Sequence, residues 1–267
     1  MHTLDKNYYL PGAEPFFFKT GPSVCLMVHG LMSSPGELKW LGERIAAQGV
    51  SVQGLRLPGH GTDHRDMRRM QWRDWYGAVV DAYLNLRAQY EKVFVLGHST
   101  GGTLSMLLAS NYPMDALVLL AAPVMFTSRI MPHTWWIKYI MPYTDQTDHT
   151  GLVEKVKEEQ RRRGEPEIGR IRYDTWATNG PAQLYALGKV VRPRLNKITH
   201  PLQLVYARND NTIPFANYDY VADNVKSTNI EKHVIEEGDH NIMLDVQRER
   251  VFSLVEDYLR RQAQGDR

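Results

Sequence analysis

Residues 93–102 read Val93-Phe94-Val95-Leu96-Gly97-His98-Ser99-Thr100-Gly101-Gly102. Four apolar, mostly β-branched or aromatic residues suit a buried strand. The following Thr103-Leu104-Ser105-Met106-Leu107-Leu108-Ala109-Ser110 suits a helix. Between them lies G-x-S-x-G, which places Ser99 on a tight strand-to-helix turn. Small neighbours at Gly97 and Gly101 let the chain pass without a Cβ clash, and the turn lifts the hydroxyl above the strand ends. The helix that follows points its free N–H groups at whatever reacts there. The competing reading of Ser99 is a helix N-cap serine beside glycines.

Outward from this turn, short β-rich runs alternate with amphipathic, helix-length segments. Strands are predicted at Val24–Val28, Val50–Leu55, Val93–Leu96, Leu117–Leu120, Leu202–Tyr206 and Lys232–Ile235, with an antiparallel edge strand at Phe16–Lys19. Helices are predicted at Gly36–Gln48, Trp72–Tyr90, Gly101–Asn111, Phe215–Val225 and Leu244–Gln262. This is the α/β pattern of a mostly parallel sheet covered by helices. The interval from Leu120 to Leu202 shows no clear buried strand and is too long for a plain loop. Residues 124–194 are therefore read as a small helical cap inserted into a core of residues 1–123 and 195–267. The cap's Trp, Tyr, Met and Ile residues would face a pocket, most of them holding the cap to the core.

A serine hydroxyl needs a histidine to take its proton and an acid to orient that histidine. On a sheet of this kind the chain order is serine, acid, histidine, and sites collect past the carboxyl ends of the strands. Asp210 follows the strand Leu202–Tyr206, and His240 follows Lys232–Ile235. Among ten histidines, His240 alone has this order and position; His2, His133, His149, His200 and His233 lie elsewhere, and His29, His60, His64 and His98 precede the nucleophile. Asp210 is the best candidate acid, with Asp239, Asp145, Asp148 and Asp245 as rivals. Acyl transfer also needs two N–H donors at the oxygen that becomes negative. These are assigned to Thr100, after the nucleophile, and to Leu31, in the His29-Gly30-Leu31-Met32 loop after the first core strand. His29 is read as a loop-shaping residue.

The motifs HGLMSSP (29–35), LPGHGTDHRDM (57–67), WRDWYGAVVDAYLNL (72–86), GHSTGG (97–102), YARNDNTIP (206–214) and EEGDHNIMLD (236–245) together resemble small bacterial carboxylesterases and monoacylglycerol lipases of the α/β-hydrolase superfamily. The resemblance implies an α/β-hydrolase fold with a helical cap over an apolar acyl pocket. It also implies hydrolysis of short- to medium-chain esters, with monoacylglycerols as further substrates. Those relatives often carry Met after the nucleophile, where this chain has Thr100. The serine motif leaves other acyl chemistries open, namely lactonase, amidase, perhydrolase or C–C bond hydrolase, and more remotely a non-catalytic ligand-binding protein on the same fold. Ser99 at the elbow disfavours epoxide and haloalkane hydrolases, which use Asp there.

The bulk composition narrows the partners. With 32 basic and 30 acidic residues, the net charge of +2 gives no electrostatic reason for a nucleic-acid partner. Gln160-Arg161-Arg162-Arg163 lies among Glu158, Glu159 and Glu165, which suits a solvated helix face. The single cysteine, Cys25, permits no intramolecular disulfide and falls in a strand. No run approaches the roughly 18 apolar residues of a membrane span, and residues 1–18 lack a signal-peptide pattern. His60 and His64 are four apart but near proline and glycine, which argues for a loop rather than a metal site. The expectation is a cytoplasmic monomer or small homo-oligomer acting on a small-molecule ester, with no metal or organic cofactor and no stable membrane insertion.

Overall fold

Ser23–Val28 is buried at every position, as befits a strand covered on both faces. It is β2 of a seven-stranded sheet in a computed structural model that describes residues 8–145 and 151–265. His2, Asp148 and His149 lie outside the described residues. The elements run β1 (Phe16–Phe18), β2, α1 (Lys39–Ala47), β3 (Ser51–Leu55), α2 (His64–Arg69), α3 (Trp72–Arg87), β4 (Lys92–His98), α4 (Thr100–Ala109) and β5 (Ala116–Leu120). After β5 come α5 (Thr134–Ile140), β6 (Tyr143–Asp145), α6 (Leu152–Arg162), β7 (Thr175–Ala177) and α7 (Asn179–Val191). The chain then returns to the sheet with β8 (Leu202–Ala207), α8 (Ala216–Asn224), β9 (Ile230–Ile235) and α9 (Arg248–Gln264).

The sheet order is β1-β3-β2-β4-β5-β8-β9. Every pair is parallel except β1 with β3, where Phe17 opposes Gln53. Alternation along the strands divides the core in two. Val24, Leu26, Val93, Val95, Leu117 and Leu204 face the layer that contains α3, α4 and α7. Cys25, Met27, Phe94, Leu96, Val118 and Val205 face the layer of α1 and α9. Cys25 is fully buried, and burial pushes its thiol far above the usual range, so it behaves as a small apolar residue.

Three local readings differ from expectation. His64 opens a short helix, α2, because Asp63 caps it by accepting the Arg65 N–H at 2.8 Å. The C-terminal helix starts at Arg248, later than expected, after a turn at 244–247. The segment between β5 and β8 contains a two-stranded antiparallel sheet, β6 with β7, besides its helices. Three-residue strands carry too little periodic signal to be read from sequence.

The inserted segment is held to the rest of the chain unevenly. Its α7 packs on α4, and α2 and α5 pack on α7. The arginines at the C-terminal end of α6 are tied into ion pairs: Arg161 with Glu167, Arg162 with Glu159, and Arg163 with Glu43 and Glu165. Glu159 also pairs with Arg248 on α9 at 2.6 Å, and the Trp40 Nε1–H donates to Glu165 at 3.0 Å. By contrast, Trp135, Tyr139 and Ile140 on α5 are 66%, 73% and 77% exposed. The aromatic stretch therefore lies largely at the surface instead of facing a pocket. Among the described residues no helix is long and apolar enough to cross a membrane.

Candidate active site

Four loops at the carboxyl ends of the parallel strands supply the site: those after β2, β4, β8 and β9. The turn after β4 is the most constrained. Ser99 takes φ 51° and ψ −121°, a left-handed conformation that is costly for a residue with a side chain. Its N–H donates to the Leu120 carbonyl at 2.9 Å, pinning the turn to β5. A Cβ on Gly97 would collide with the Gly101 backbone, and one on Gly101 with the Val28 carbonyl. The two glycines are thus required by close approach of main chain to main chain.

His240 Nε2 lies 2.9 Å from Ser99 Oγ, and His240 Nδ1 lies 2.7 Å from Asp210 Oδ2. A carboxylate only accepts, so Nδ1–H donates to Asp210 and Nε2 is left to receive the serine proton. The other oxygen of Asp210 accepts the N–H groups of Thr212 and Ile213 at 2.8 and 2.9 Å. Burial opposes the charge of Asp210. The His240 hydrogen bond and charge, with these two N–H groups, outweigh it and hold the carboxyl below the usual range.

Gly30 brings the loop after β2 against the nucleophile: a Cβ there would lie 3.3 Å from Ser99 Cβ. Met32 holds φ 58°, so this loop too carries a left-handed residue without being glycine. Leu31 and Ser99 line one cavity of about 660 Å³, walled elsewhere by Phe126, Met131, Trp176 and Leu184. Thr100 opens α4 and is fully buried. Its hydroxyl has no hydrogen-bond partner among the described residues. The structure thus brings Ser99, His240 and Asp210 into one hydrogen-bonded row, with Leu31 on the loop after β2 and Thr100 at the first position of α4.

The family described as serine aminopeptidase, S33 (Hydrolase_4) matches residues 22–247. The chain belongs to this serine hydrolase family. The hydrolase is 28% identical over 227 residues to a thermostable monoacylglycerol lipase of Bacillus sp. (strain H-257), covering 85% of each chain. It is 25% identical over 247 residues to a carboxylesterase of Bacillus subtilis (strain 168), covering 92% of this chain and 96% of that one. Among solved structures, one from work on the metagenome-derived lipolytic enzymes LipS and LipT superposes with a TM-score of 0.84 at 23% identity, covering 95% and 99% of the two chains. The monoacylglycerol lipase of Paleococcus ferrophilus superposes with a TM-score of 0.75 at 17% identity, covering 93% and 98%. These superpositions establish the α/β-hydrolase fold.

The rival acids of the hydrolase do other work. Asp239 accepts the backbone N–H groups of Asn211 and His240 and the side-chain amide of Asn211, at 3.1, 2.6 and 2.6 Å. It ties the loop of Asp210 to the loop of His240 without touching the imidazole through its carboxylate. Asp245 accepts the Asp239 N–H at 3.0 Å, and Asp145 lies at the end of β6 in the inserted segment.

Three further histidines are buried and neutral. His29 Nδ1–H donates to Gly30 O at 2.8 Å, and its Nε2 accepts the Leu57 N–H at 3.1 Å. It therefore joins the loops after β2 and β3. His60 packs edge-on between His29 and Trp75. The sequence gives His98 no part in the site beyond preceding the nucleophile. Its ring instead lies 5.2 Å from that of His240, and its Nε2–H donates to the His240 carbonyl at 3.1 Å. Nothing in a strand-to-turn sequence signals that contact, which spans 142 residues.

Burial lowers the basicity of His29 to about 4, of His98 to about 3 and of His60 well below its ordinary 6.5. In the unfolded chain each takes up a proton near the ordinary value of 6.5. Below that pH the unfolded state binds more protons, so folding weakens as pH falls until each folded value is passed. Each histidine costs about 1.4 kcal/mol per pH unit across its window. Urea unfolding midpoints are expected to fall steadily from about pH 6.5 to about pH 4. A flat midpoint across that window would mean that these rings are already charged or exposed in the fold.

Proposed function

We propose that this hydrolase cleaves carboxylic esters of short to medium acyl chains, monoacylglycerols included, through an acyl-enzyme on Ser99. The observation that carries the reading is the Asp210–His240–Ser99 row opening onto the cavity that Leu31 lines. His240 takes the Ser99 proton as the hydroxyl attacks the ester carbonyl. The tetrahedral oxygen is received by the N–H groups of Leu31 and Thr100. His240 then protonates the departing alcohol, and water repeats the two steps on the acyl-enzyme. Asp210, kept ionised, holds the imidazole in the tautomer this needs and stabilises its charged form. An N–H donor at an oxyanion is worth about 100- to 1000-fold in rate.

Residues 124–194 serve as the cap over this cavity, supplying Phe126, Met131, Trp176 and Leu184 to its apolar wall. A volume of about 660 Å³ lies within the roughly 300–1,000 Å³ of small-molecule pockets. Among the described residues lining the wall, the one Asp or Glu is Asp239, whose carboxylate is already committed to Asn211 and His240, which disfavours the free amino terminus that an aminopeptidase binds. We assign the enzyme to the cytoplasm as a monomer or small homo-oligomer that needs no metal or organic cofactor.

Hydrolysis of p-nitrophenyl esters from acetate to palmitate tests the reading. Turnover that peaks at short or medium chains supports it and sizes the acyl pocket. No turnover at any chain length, with turnover of lactones or amides, would replace it with another acyl chemistry on the same triad.

A further inference from the structure

Arg170 lies in the inserted segment, between α6 and β7, yet reaches the sheet side of the cavity. Its Nε–H donates to Glu37 Oε1 at 2.5 Å, and its Nη2 lies 3.5 Å from Glu37 Oε2. The same Nη2 donates to Asn241 Oδ1 at 2.7 Å. Glu37 in turn accepts the Ser33 Oγ–H at 2.5 Å. The side chain of Glu37 is 2% exposed and that of Arg170 16% exposed, so this ion pair is desolvated. Burial alone would push the Glu37 carboxyl up. The charge and hydrogen bonds of Arg170, with the Ser33 hydroxyl, bring it below the usual range instead.

Such a pair is a poor device for stability, because desolvation consumes most of its attraction and apolar side chains of similar size often do as well. What apolar side chains cannot do is reach Ser33 and Asn241. Ser33 belongs to the Gly30–Ser34 loop, where its N–H closes a turn on the Gly30 carbonyl at 3.4 Å. Asn241 directly follows His240. Ser33, Arg170 and Asn241 all border the cavity of Ser99. The row Ser33–Glu37–Arg170–Asn241 therefore joins the loop carrying Leu31 to the loop carrying His240, by way of the inserted segment. Asp239 braces the opposite flank of His240 against the loop of Asp210.

We propose that Arg170 is a positioning residue, which with Glu37 sets the Leu31 loop and the His240 loop at the separation the tetrahedral intermediate requires. The assignment rests on the esterase reading above. It makes the inserted segment part of the catalytic frame as well as a wall of the pocket. Misplacement of reacting groups by about 1 Å costs on the order of 100-fold in rate.

The test compares wild type with Arg170→Met/Glu37→Met, which removes both charges and leaves neither unpaired, and with Asn241→Ala, which leaves the ion pair whole. All are assayed with the p-nitrophenyl ester that wild type turns over fastest and with an alkylboronic acid, which forms a tetrahedral adduct on the serine. Thermal unfolding verifies that each is folded. The double variant is expected to lose on the order of 100-fold in kcat with KM within about twofold, and boronate affinity should fall in parallel. Asn241→Ala should lose part of the same factor, and adding it to the double variant should cost nothing more. A folded double variant with wild-type kcat and wild-type boronate affinity overturns the proposal, as does an Asn241→Ala loss that multiplies with the double variant. A wild type that turns over no ester overturns the esterase reading and this assignment with it.

Discussion

Ser99→Ala is expected to lower kcat for ester hydrolysis by about a million-fold, the scale on which losing the nucleophile of a Ser-His-Asp triad acts. The side chain is 2.9 Å from His240 Nε2, and no other hydroxyl among the described residues is hydrogen-bonded to that nitrogen. What survives is the cavity, the flanking N–H groups and a histidine able to activate water. These leave about 10³- to 10⁴-fold over the uncatalysed rate. KM should change little, because the hydroxyl contributes to the transition state rather than to ground-state binding. Stopped assays at high enzyme concentration, together with loss of labelling by a fluorophosphonate, measure the effect. Full retention of activity would mean that another residue attacks the ester. The buried, strained turn at φ 51° would then be structural.

Asp210→Asn is expected to lower kcat by about 10⁴-fold, as the equivalent exchange does in other Ser-His-Asp enzymes. The cause is the tautomer. An ionised Asp210 only accepts, so His240 keeps its proton on Nδ1 and turns a lone pair toward Ser99. An asparagine amide can donate to Nδ1, which moves the imidazole proton to Nε2 and leaves Ser99 facing an N–H. The charge that stabilises the imidazolium is lost as well. Asp239→Asn is the matched comparison, because it adjoins His240 but holds backbone N–H groups and the Asn211 amide. Its loss should be far smaller than that of Asp210→Asn when kcat/KM is measured under the same conditions. If Asp239→Asn proved the more damaging of the two, the orienting acid would have to be reassigned.

Rivalry between Asp210 and Asp239 shows how far chain order reaches. Both follow a strand end and precede His240, and what separates them in the sequence is that Asp239 adjoins the histidine. Position along the chain favoured Asp210, because a residue adjacent to His240 rarely aims its side chain at the neighbouring ring. In the fold Asp239 indeed bonds the His240 backbone. The sheet was legible for a similar reason. Fully buried parallel strands such as β2 and β4 are continuous apolar runs that turn residues interrupt. Strands β6 and β7, three residues each, gave no such signal. Trp135, Tyr139 and Ile140 misled because apolar character states a preference for burial, not whether a partner surface exists.

Local sequence by itself determined the elbow at Ser99. Its glycines, apolar strand and helix lie within the 18 consecutive residues 92–109, and steric exclusion between neighbouring main-chain atoms acts over that range. The strand positions and the Ser–Asp–His succession followed from similar local patterns and the chain order such a sheet imposes, whereas the order of the strands within the sheet came only from the fold. Only the tertiary structure decided that Arg170 meets Glu37, 133 residues away, and Asn241, 71 residues away. It alone turned His98 toward the His240 carbonyl and left α5 exposed. An arginine in a loop carries no mark of its partner, because charge is satisfied by whichever opposite charge the packed backbone brings within reach, and desolvation makes that choice binding only once the chain has folded.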